Sequence, residues 1–309
     1  MRAHVARYAR NASVILLVSL PGITMATESS GLLPWPTLAL SYAAPQPATQ
    51  PTPPATAPQP TAGPEATEPA STYGYRGVSS LFNIREAYSN VKKGEWEFEL
   101  KNVYSTKSRS QHDHFELAQS IKYGITNDFY IELEVSEPLG YSGYGVGELN
   151  FKLFNTFWHE AELLPAFGGS AELRIPTGYG SSRVDGVFTG ILTKTIFPRF
   201  RAHLLGYVET ANGAQGHEEE ENRRAFQWGV GPGFDYQLTD NTLVLLNYLH
   251  KSSDRYGEHN NNIMEAGLVH YFPKTGAFKH GIKAAVDWTL DGLEDTPNFA
   301  AKLQWSIEW

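Results

Sequence analysis

Apolar and polar residues alternate with a period of two through residues 92–309. In EWEFELKNVY (95–104), for example, Trp96, Phe98 and Leu100 alternate with three glutamates, and the final AKLQWSIEW repeats the pattern. Successive side chains of a β-strand point to opposite faces of its sheet, whereas a helix needs a period near 3.6 residues. The sequence therefore predicts an all-β domain.

Two β architectures alternate in this way. A soluble sandwich buries its apolar face, whereas a transmembrane barrel turns the apolar face to lipid and the polar face to the lumen. The predicted strands reach about ten residues, longer than the roughly six of an average strand. Aromatic residues collect near strand ends, where barrels have membrane-interface girdles. A barrel is therefore favoured, with these interface aromatics: Trp96, Tyr104, Tyr123, Trp288, Trp305 and Trp309.

Short and long connections alternate between the predicted strands. The short ones fall at 125–128, 155–162, 197–200, 238–241 and 272–279, and the longer ones at 105–113, 137–145, 176–183, 211–222, 251–262 and 291–298. This succession predicts an antiparallel up-and-down barrel of about twelve strands, an even number that leaves both ends on one side of the membrane. Strands 6, 9 and 10 alternate poorly, so their register stays open.

The residues before this domain differ in composition. Residues 1–26 have the basic start, short apolar core and small-residue cleavage site of a signal peptide, with a cut as late as residue 44 left open. A permanent amino-terminal anchor is the alternative. Residues 45–71 are rich in Pro, Ala and Thr, which predicts a disordered, extended tether. Residues 72–91 are either a periplasmic lead-in or a plug that enters the barrel.

Charged residues of both signs lie on the polar face of the predicted strands. A Lys or Arg facing lipid at mid-depth would cost about 2–4 kcal/mol, so these side chains are expected to point into the lumen. They either brace a narrow barrel through ion pairs or line a polar pore. Gly229, Gly231 and Gly233 would leave one stretch of wall bare, which favours a pore. The predicted pore-lining residues are Glu97, Glu99, Lys101, Glu116, Lys122, Glu132, Glu134, Glu148, Lys152, Glu172, Arg174, Arg201, Glu209, Asp235, Glu265, Lys283, Asp287 and Lys302.

Several other functions find little support. The net charge of -8, without a basic cluster, argues against nucleic acid as a partner. The chain has no cysteine, which excludes disulfides and thiolate metal sites. Outside the amino terminus, no apolar run reaches the roughly 18 residues of a helical membrane span.

Metal binding and catalysis are also weakly supported. HEEEE (217–221) could bind divalent cations through its carboxylates but is interpreted as a solvated charge run in an exposed loop, and HDH (112–114) lacks a third ligand, so neither a metal nor a cofactor is predicted. Ser108, Ser110 and His112 lie near one rim but lack a clear orienting partner. Lipid hydrolysis is therefore the weakest alternative, and no catalytic residue is assigned.

Five segments resemble the outer-membrane transporters of the family named MetA-pathway of phenol degradation. They are KKGEWEFEL (92–100), YGITNDFYIELEVSEPLG (123–140), VGELNFKLFN (146–155), ELRIPTG (172–178) and FDYQLTDNTLVLLNY (234–248). The resemblance covers roughly residues 85–309. The last strand, ending at Trp309, also resembles the carboxy-terminal pattern of bacterial outer-membrane proteins, which the barrel-insertion machinery reads.

The resemblance implies a function as well as a fold. It implies a porin-like Gram-negative outer-membrane channel, and we expect passive uptake of small solutes, with hydrophobic or aromatic ones among them. The sequence itself predicts no enzymatic activity. The expected surroundings are outer-membrane lipid and lipopolysaccharide, with the N-terminal segment in the periplasm. The alternative is a plugged barrel that acts as a structural or adhesive membrane anchor.

Overall fold

The computed structural model describes Val78 and residues 81–106, 113–139, 147–177, 184–210, 224–291 and 297–309. All regular structure in these ranges is β-strand, and no helix within them is long and apolar enough to cross a membrane. The twelve strands are β1 Trp96–Ser105, β2 His114–Gly124, β3 Phe129–Leu139, β4 Glu148–Trp158, β5 Ala166–Pro176, β6 Asp185–Phe197, β7 Phe200–Thr210, β8 Phe226–Thr239, β9 Thr242–Lys251, β10 Asn261–Tyr271, β11 Lys279–Asp291 and β12 Phe299–Glu308. The predicted all-β fold is confirmed.

The strands close into one antiparallel barrel. Each strand pairs with its neighbours in sequence, and β1 also pairs with β12. Trp96 and Trp309 exchange two backbone hydrogen bonds at this seam, with N···O distances of 3.0 and 3.1 Å. Because closure leaves no strand edge open, each strand is hydrogen-bonded on both sides. The terminal Trp309 therefore completes the wall.

The two ends of the barrel differ in their connections. Five connections gather at what we call the short-turn end: 125–128, 159–165, 198–199, 240–241 and 272–278. The longer connections gather at the opposite, long-loop end, where 252–260 is described throughout and the other five lie partly outside the described residues. Both β1 and β12 meet the short-turn end. The predicted strand number and the alternation of connections are confirmed.

The outward face of the barrel is apolar. Large side chains at mid-strand are exposed there, including Phe188 at 62% and Leu303 at 52%. Charged side chains on the same strands point inward and are largely buried. This polarity is the inverse of a soluble sandwich and is characteristic of a transmembrane barrel.

The aromatic side chains predicted at the membrane interface lie on this outward face. Trp96 and Tyr123 contact each other at the short-turn end, with ring centroids 4.6 Å apart, and Trp309 lies beside them at the seam. Tyr104 and Trp288 lie near the long-loop end. Trp305 lies four residues before Trp309, deeper along β12, and packs against Phe98 with a centroid distance of 6.4 Å.

Strands β6, β9 and β10, whose register the sequence left open, carry apolar side chains on both faces. Ile191 of β6, Leu243 and Leu245 of β9, and Val269 of β10 point inward and are buried. They pack in one cluster with apolar residues from 81–91, which we call the inner segment. The alternation is weak in these strands because both of their faces meet apolar surroundings.

The orientation of the outward face can be tested at Leu303. We expect Leu303→Lys to lower the free energy of unfolding by about 2–4 kcal/mol, because it places a charge in the apolar belt at mid-strand. The control Leu163→Lys lies in a short-turn connection, where Leu163 is 89% exposed, and should change stability by less than about 0.5 kcal/mol. Reversible denaturant unfolding in phospholipid vesicles measures both. Equal effects would show that Leu303 does not face hydrocarbon.

Candidate functional site

The lumen contains the inner segment. Leu81, Phe82, Ile84, Ala87 and Val91 are each no more than 4% exposed, although the segment forms neither helix nor strand. Their apolar partners come from eight strands and point inward: Tyr130, Phe154, Ala166, Ile191, Leu205, Leu243, Leu245, Val269, Tyr271 and Ala285. The segment therefore fills the middle of the barrel cross-section in the described structure.

The inner segment reaches the lumen from the short-turn end. It leads directly into β1, and Gly94 donates a backbone hydrogen bond to the carbonyl of Gly124 beside the first short turn. Asn83, earlier in the chain, contacts Asp287 and Lys302. Counted from the short-turn end, these two residues lie beyond the midpoints of β11 and β12. The amide of Glu86 bonds to the carbonyl of Val78, so the chain folds back on itself. The segment is thus a loop inserted to about mid-height.

Glu86 makes a buried ionic contact between the inner segment and the wall. Its carboxylate accepts a hydrogen bond from Arg201 Nη1 at 2.7 Å. Arg201 also binds both carboxylate oxygens of Asp235 from the next strand, at 2.5–3.1 Å. Each of the three side chains is no more than 3% exposed. Ionised hydrogen bonds are strong, and removing one partner of a buried ion pair is costly.

The ion pairs extend into a small network that we call the Arg201 cluster, formed by Glu86, Thr193, Arg201, His203 and Asp235. His203 Nε2 lies 2.9 Å from Asp235 Oδ2, and His203 Nδ1 lies 3.0 Å from Thr193 Oγ1. The Thr193 hydroxyl in turn accepts the backbone N–H of Ala87 at 2.9 Å. The cluster therefore holds both a side chain and the backbone of the inner segment.

A second contact lies at the tip of the inner segment. The Asn83 amide donates to Asp287 Oδ2 at 3.2 Å and accepts from Lys302 Nζ at 3.1 Å, while its backbone N–H donates to Glu265 at 2.9 Å. Lys302 is itself paired with Glu265 at 2.7 Å and with Asp287 at 2.8 Å. Asn83 thereby joins an ion triad of three neighbouring strands.

Hydroxyl and amide groups hold the part of the inner segment nearest β1. The Thr156 hydroxyl accepts the backbone N–H of Ser89 at 3.1 Å and donates to the carbonyl of Ala87 at 3.0 Å. Asn90 donates to Glu97 at 2.7 Å. These contacts replace the backbone partners that a helix or sheet would supply.

Tyr88 lies between these contacts. Its ring stacks on His159 of a short-turn connection, with centroids 5.8 Å apart. Burial raises the pKa of the Tyr88 hydroxyl to about 12, so the side chain is uncharged at neutral pH.

All of the predicted pore-lining charges lie on inward faces of the strands. All but Glu116 and Glu148 take part in an ion pair within 4.0 Å among the described residues. Lys122, for example, lies 2.9 Å from Glu97 and 2.7 Å from Glu99, and Lys283 lies 3.1 Å from Glu99. These ion pairs connect strands of the wall to one another. They are consistent with the interpretation that the charges brace a narrow barrel.

Some of these pairs join residues of adjacent strands, and others reach across an intervening strand. Lys152 on β4 contacts Glu132 on β3 and Glu172 on β5, both at 3.2 Å and both directly opposite in register. Arg174 contacts Glu172 of its own strand at 2.8 Å and reaches across β6 to Glu209 of β7 at 2.7 Å. Inward residues that face each other across strands are spaced for such pairs.

The three glycines of β8 do not leave a bare wall, and that expectation is wrong. A Cβ at Gly233 would lie 2.9 Å from Cγ1 of Ile84 in the inner segment, and one at Gly229 would overlap the Tyr207 ring. A Cβ at Gly231 would overlap a carbonyl of the neighbouring strand. At Gly229 and Gly233 the missing side chains leave room for Tyr207 and Ile84, which point into the lumen.

Glycines on two other strands have the same role. A Cβ at Gly168 of β5 would overlap the carbonyl of Ala87, and one at Gly267 of β10 would lie 2.5 Å from the Phe82 ring. Together with Gly233, these positions allow the backbone of the wall to approach the inner segment closely. The inner face of the barrel is therefore shaped around this segment.

Sequence reasoning missed several members of this site. Glu86, Thr193 and His203 were not predicted. Glu86 lies in an irregular segment, which has no periodicity to mark it, and Thr193 lies in β6, whose alternation is weak. His203 could have been found, since it follows Arg201 by two residues and so shares its face.

Other candidate positions lie outside the described residues. These are Ser108, Ser110, His112 and the acidic run 217–221, while nothing is described of the His114 side chain. No group of three or more His, Cys, Asp or Glu that could hold a metal ion occurs among the residues that the structure describes.

The described geometry defines a class: a twelve-stranded transmembrane barrel with an occupied lumen. No protein-family model matches the sequence, and no curated protein sequence matches it. Among solved structures, an outer membrane channel from Pseudomonas putida F1 is 13% identical with a TM-score of 0.49, over 72% of this chain and 98% of that chain. The NanC porin (10%, TM-score 0.48) and the KdgM porin (8%, TM-score 0.44) each match over 69% of this chain and 98% of theirs. These are similarities of fold at low sequence identity.

The fit of the inner segment can be tested at Gly168. Since the chain has no cysteine, Ile84→Cys supplies a single thiol in the buried part of the segment. We expect Gly168→Ala to raise the rate at which a maleimide labels this thiol in the folded barrel, because its Cβ overlaps the Ala87 carbonyl. The control is Gly206→Ala, whose Cβ lies 3.9 Å from the nearest atom. Equal labelling of the two variants would show that Gly168 does not position the segment.

Proposed function

We propose that the protein is an outer-membrane channel that takes up small solutes passively through its lumen, and that the path opens when the inner segment moves. The observation that carries the proposal is the polarity of the closed wall, apolar outside and ionic inside. Such a wall places water-compatible side chains at membrane depth. Transport through it is downhill and requires no cofactor.

The contacts of the inner segment support its mobility relative to the wall. Neighbouring wall strands share continuous backbone ladders, whereas the described inner segment touches the wall through side chains and a few isolated backbone groups. The segment can therefore leave without breaking the sheet. An eight-stranded barrel fills with side chains and a sixteen-stranded one leaves a channel, so twelve strands enclose an intermediate lumen.

The surface beneath the inner segment supports solutes with apolar or aromatic parts. Phe154, Leu245 and Tyr271 point into the lumen and pack in the cluster that includes the segment. Once the segment moves, these side chains line the path beside the paired charges. The same class of solute is implied by the resemblance to the MetA-pathway of phenol degradation transporters, which we retain as part of the proposal.

The proposed orientation places the short-turn end in the periplasm. Outer-membrane barrels have short periplasmic turns and longer external loops. The segment before β1 would then enter from the periplasm, and the long loops would lie among lipopolysaccharide. Trp309, at the end of the closing strand, is the proposed signal for the barrel-insertion machinery.

A second candidate is a plugged barrel that serves as a structural or adhesive membrane anchor. It is favoured by the extent of ion pairing in the wall and by the burial of the inner segment. In this case the lumen contributes stability, and the Pro-rich residues 45–71 reach a periplasmic partner.

Conductance separates the two candidates. We expect a variant that starts at Lys92 to show larger ohmic steps in a planar bilayer than the full chain, because the inner segment no longer obstructs the lumen. Deletion of 45–71 alone retains the segment and should leave conductance unchanged. Heat-modifiable migration on gels checks that each barrel is folded. If the truncated variant that starts at Lys92 is folded but shows no conductance, the result would support the anchor instead.

A further inference from the structure

The inner segment resembles an amphipathic ligand in what it presents to the lumen. Leu81, Phe82 and Ile84 pack in the apolar cluster with the wall. Glu86, two residues after Ile84, binds Arg201 through its carboxylate. An apolar body next to one anionic group thus occupies the site.

The two carboxylates on Arg201 are held differently. Asp235 lies directly opposite Arg201 in the β7–β8 ladder and is also held by His203 at 2.9 Å. Glu86 belongs to a segment outside any ladder, and its Oε1 is buried without a hydrogen-bond partner in the described structure. The Asp235 position is therefore built into the wall, whereas Glu86 satisfies only part of its own hydrogen-bonding capacity.

A second carboxylate could take the place of Glu86 without changing the charge of the Arg201 cluster. A guanidinium N–H forms a charge-assisted hydrogen bond to a carboxylate, as Arg201 Nη1 does to Glu86, and the carboxylate of a solute supplies the same two oxygens. A neutral amide of the same shape lacks the charge. The glycines at 168, 233 and 267 leave the space that the Ala87 backbone and the Ile84 and Phe82 side chains of the segment now take.

We propose that Arg201 and the apolar wall form a binding site for amphipathic carboxylates. The inner segment occupies this site when no such carboxylate is bound. A solute with one carboxylate on an aromatic or aliphatic body displaces Glu86 from Arg201 and the segment from the lumen. This rests on the proposed function for its role in uptake, although displacement itself does not require conduction.

Displacement can be followed with the single thiol of Ile84→Cys in the full chain, folded in lipid vesicles. We expect 4-phenylbutyrate to raise the maleimide labelling rate severalfold and its neutral amide, 4-phenylbutanamide, to leave the rate unchanged. If both probes accelerate labelling equally, the site does not recognise the carboxylate. No acceleration by either, in a barrel that keeps its heat-modifiable migration, would overturn the proposal.

Two neighbouring charges give a matched pair of variants. Glu86→Gln weakens the bond to Arg201 and should raise basal labelling severalfold while lowering the 4-phenylbutyrate concentration needed. Arg85→Gln removes the adjacent charge, which interacts with Glu172 of the wall only at longer range, and should change both quantities much less than Glu86→Gln does. If the two variants behave alike, the Glu86–Arg201 contact does not hold the segment.

The outcome is separable from that of the proposed function. Carboxylate-dependent labelling in a protein that stays silent in the planar bilayer would keep the site and reject the channel. Conductance without carboxylate-dependent labelling would keep the channel and reject the site.

Discussion

The whole structure depends on the closure of the β1–β12 seam. A sheet that ends in an open edge leaves backbone groups unpaired, which hydrocarbon cannot satisfy, whereas a closed sheet pairs them within itself. Closure then separates an outer surface from an inner one. The outer surface meets lipid and is apolar, so the polar half of each alternating strand has only the lumen to face. The ionic interior is a consequence of the closed wall.

Concentrating charge in a lumen creates its own constraint. Removing a charge from water is costly unless a partner compensates it, and the wall meets this with ladders such as Glu132, Lys152 and Glu172. The inner segment extends the same solution, because Glu86 and Asn83 add contacts to clusters that already belong to the wall. Its apolar side chains cover the inward leucines and aromatics that water would otherwise meet. The segment and the wall are therefore complementary in both charge and polarity.

The sequence predicted the wall far better than its contents. Strands such as EWEFELKNVY carry a clear period of two, and the alternation of short and long connections determines their number. The inner segment has no comparable signal, since SLFNIREAYSN alternates with neither period. The sequence indicated the inner segment only indirectly, through the weak alternation of β6, β9 and β10 and through the glycines of β8. Those glycines suggested an empty wall because a missing side chain looks the same in sequence whether space or another residue fills it.

The inner segment is joined to β1 by only four residues, 92–95. A segment tethered by so short a linker competes with a free ligand at an effective concentration on the order of millimolar, whatever the protein concentration. Any molecule that replaces it must be abundant locally or must bind more tightly than the chain binds itself. Under the proposed mechanism, return of the segment would be an intramolecular event, so the lumen would fill again once the solute has left.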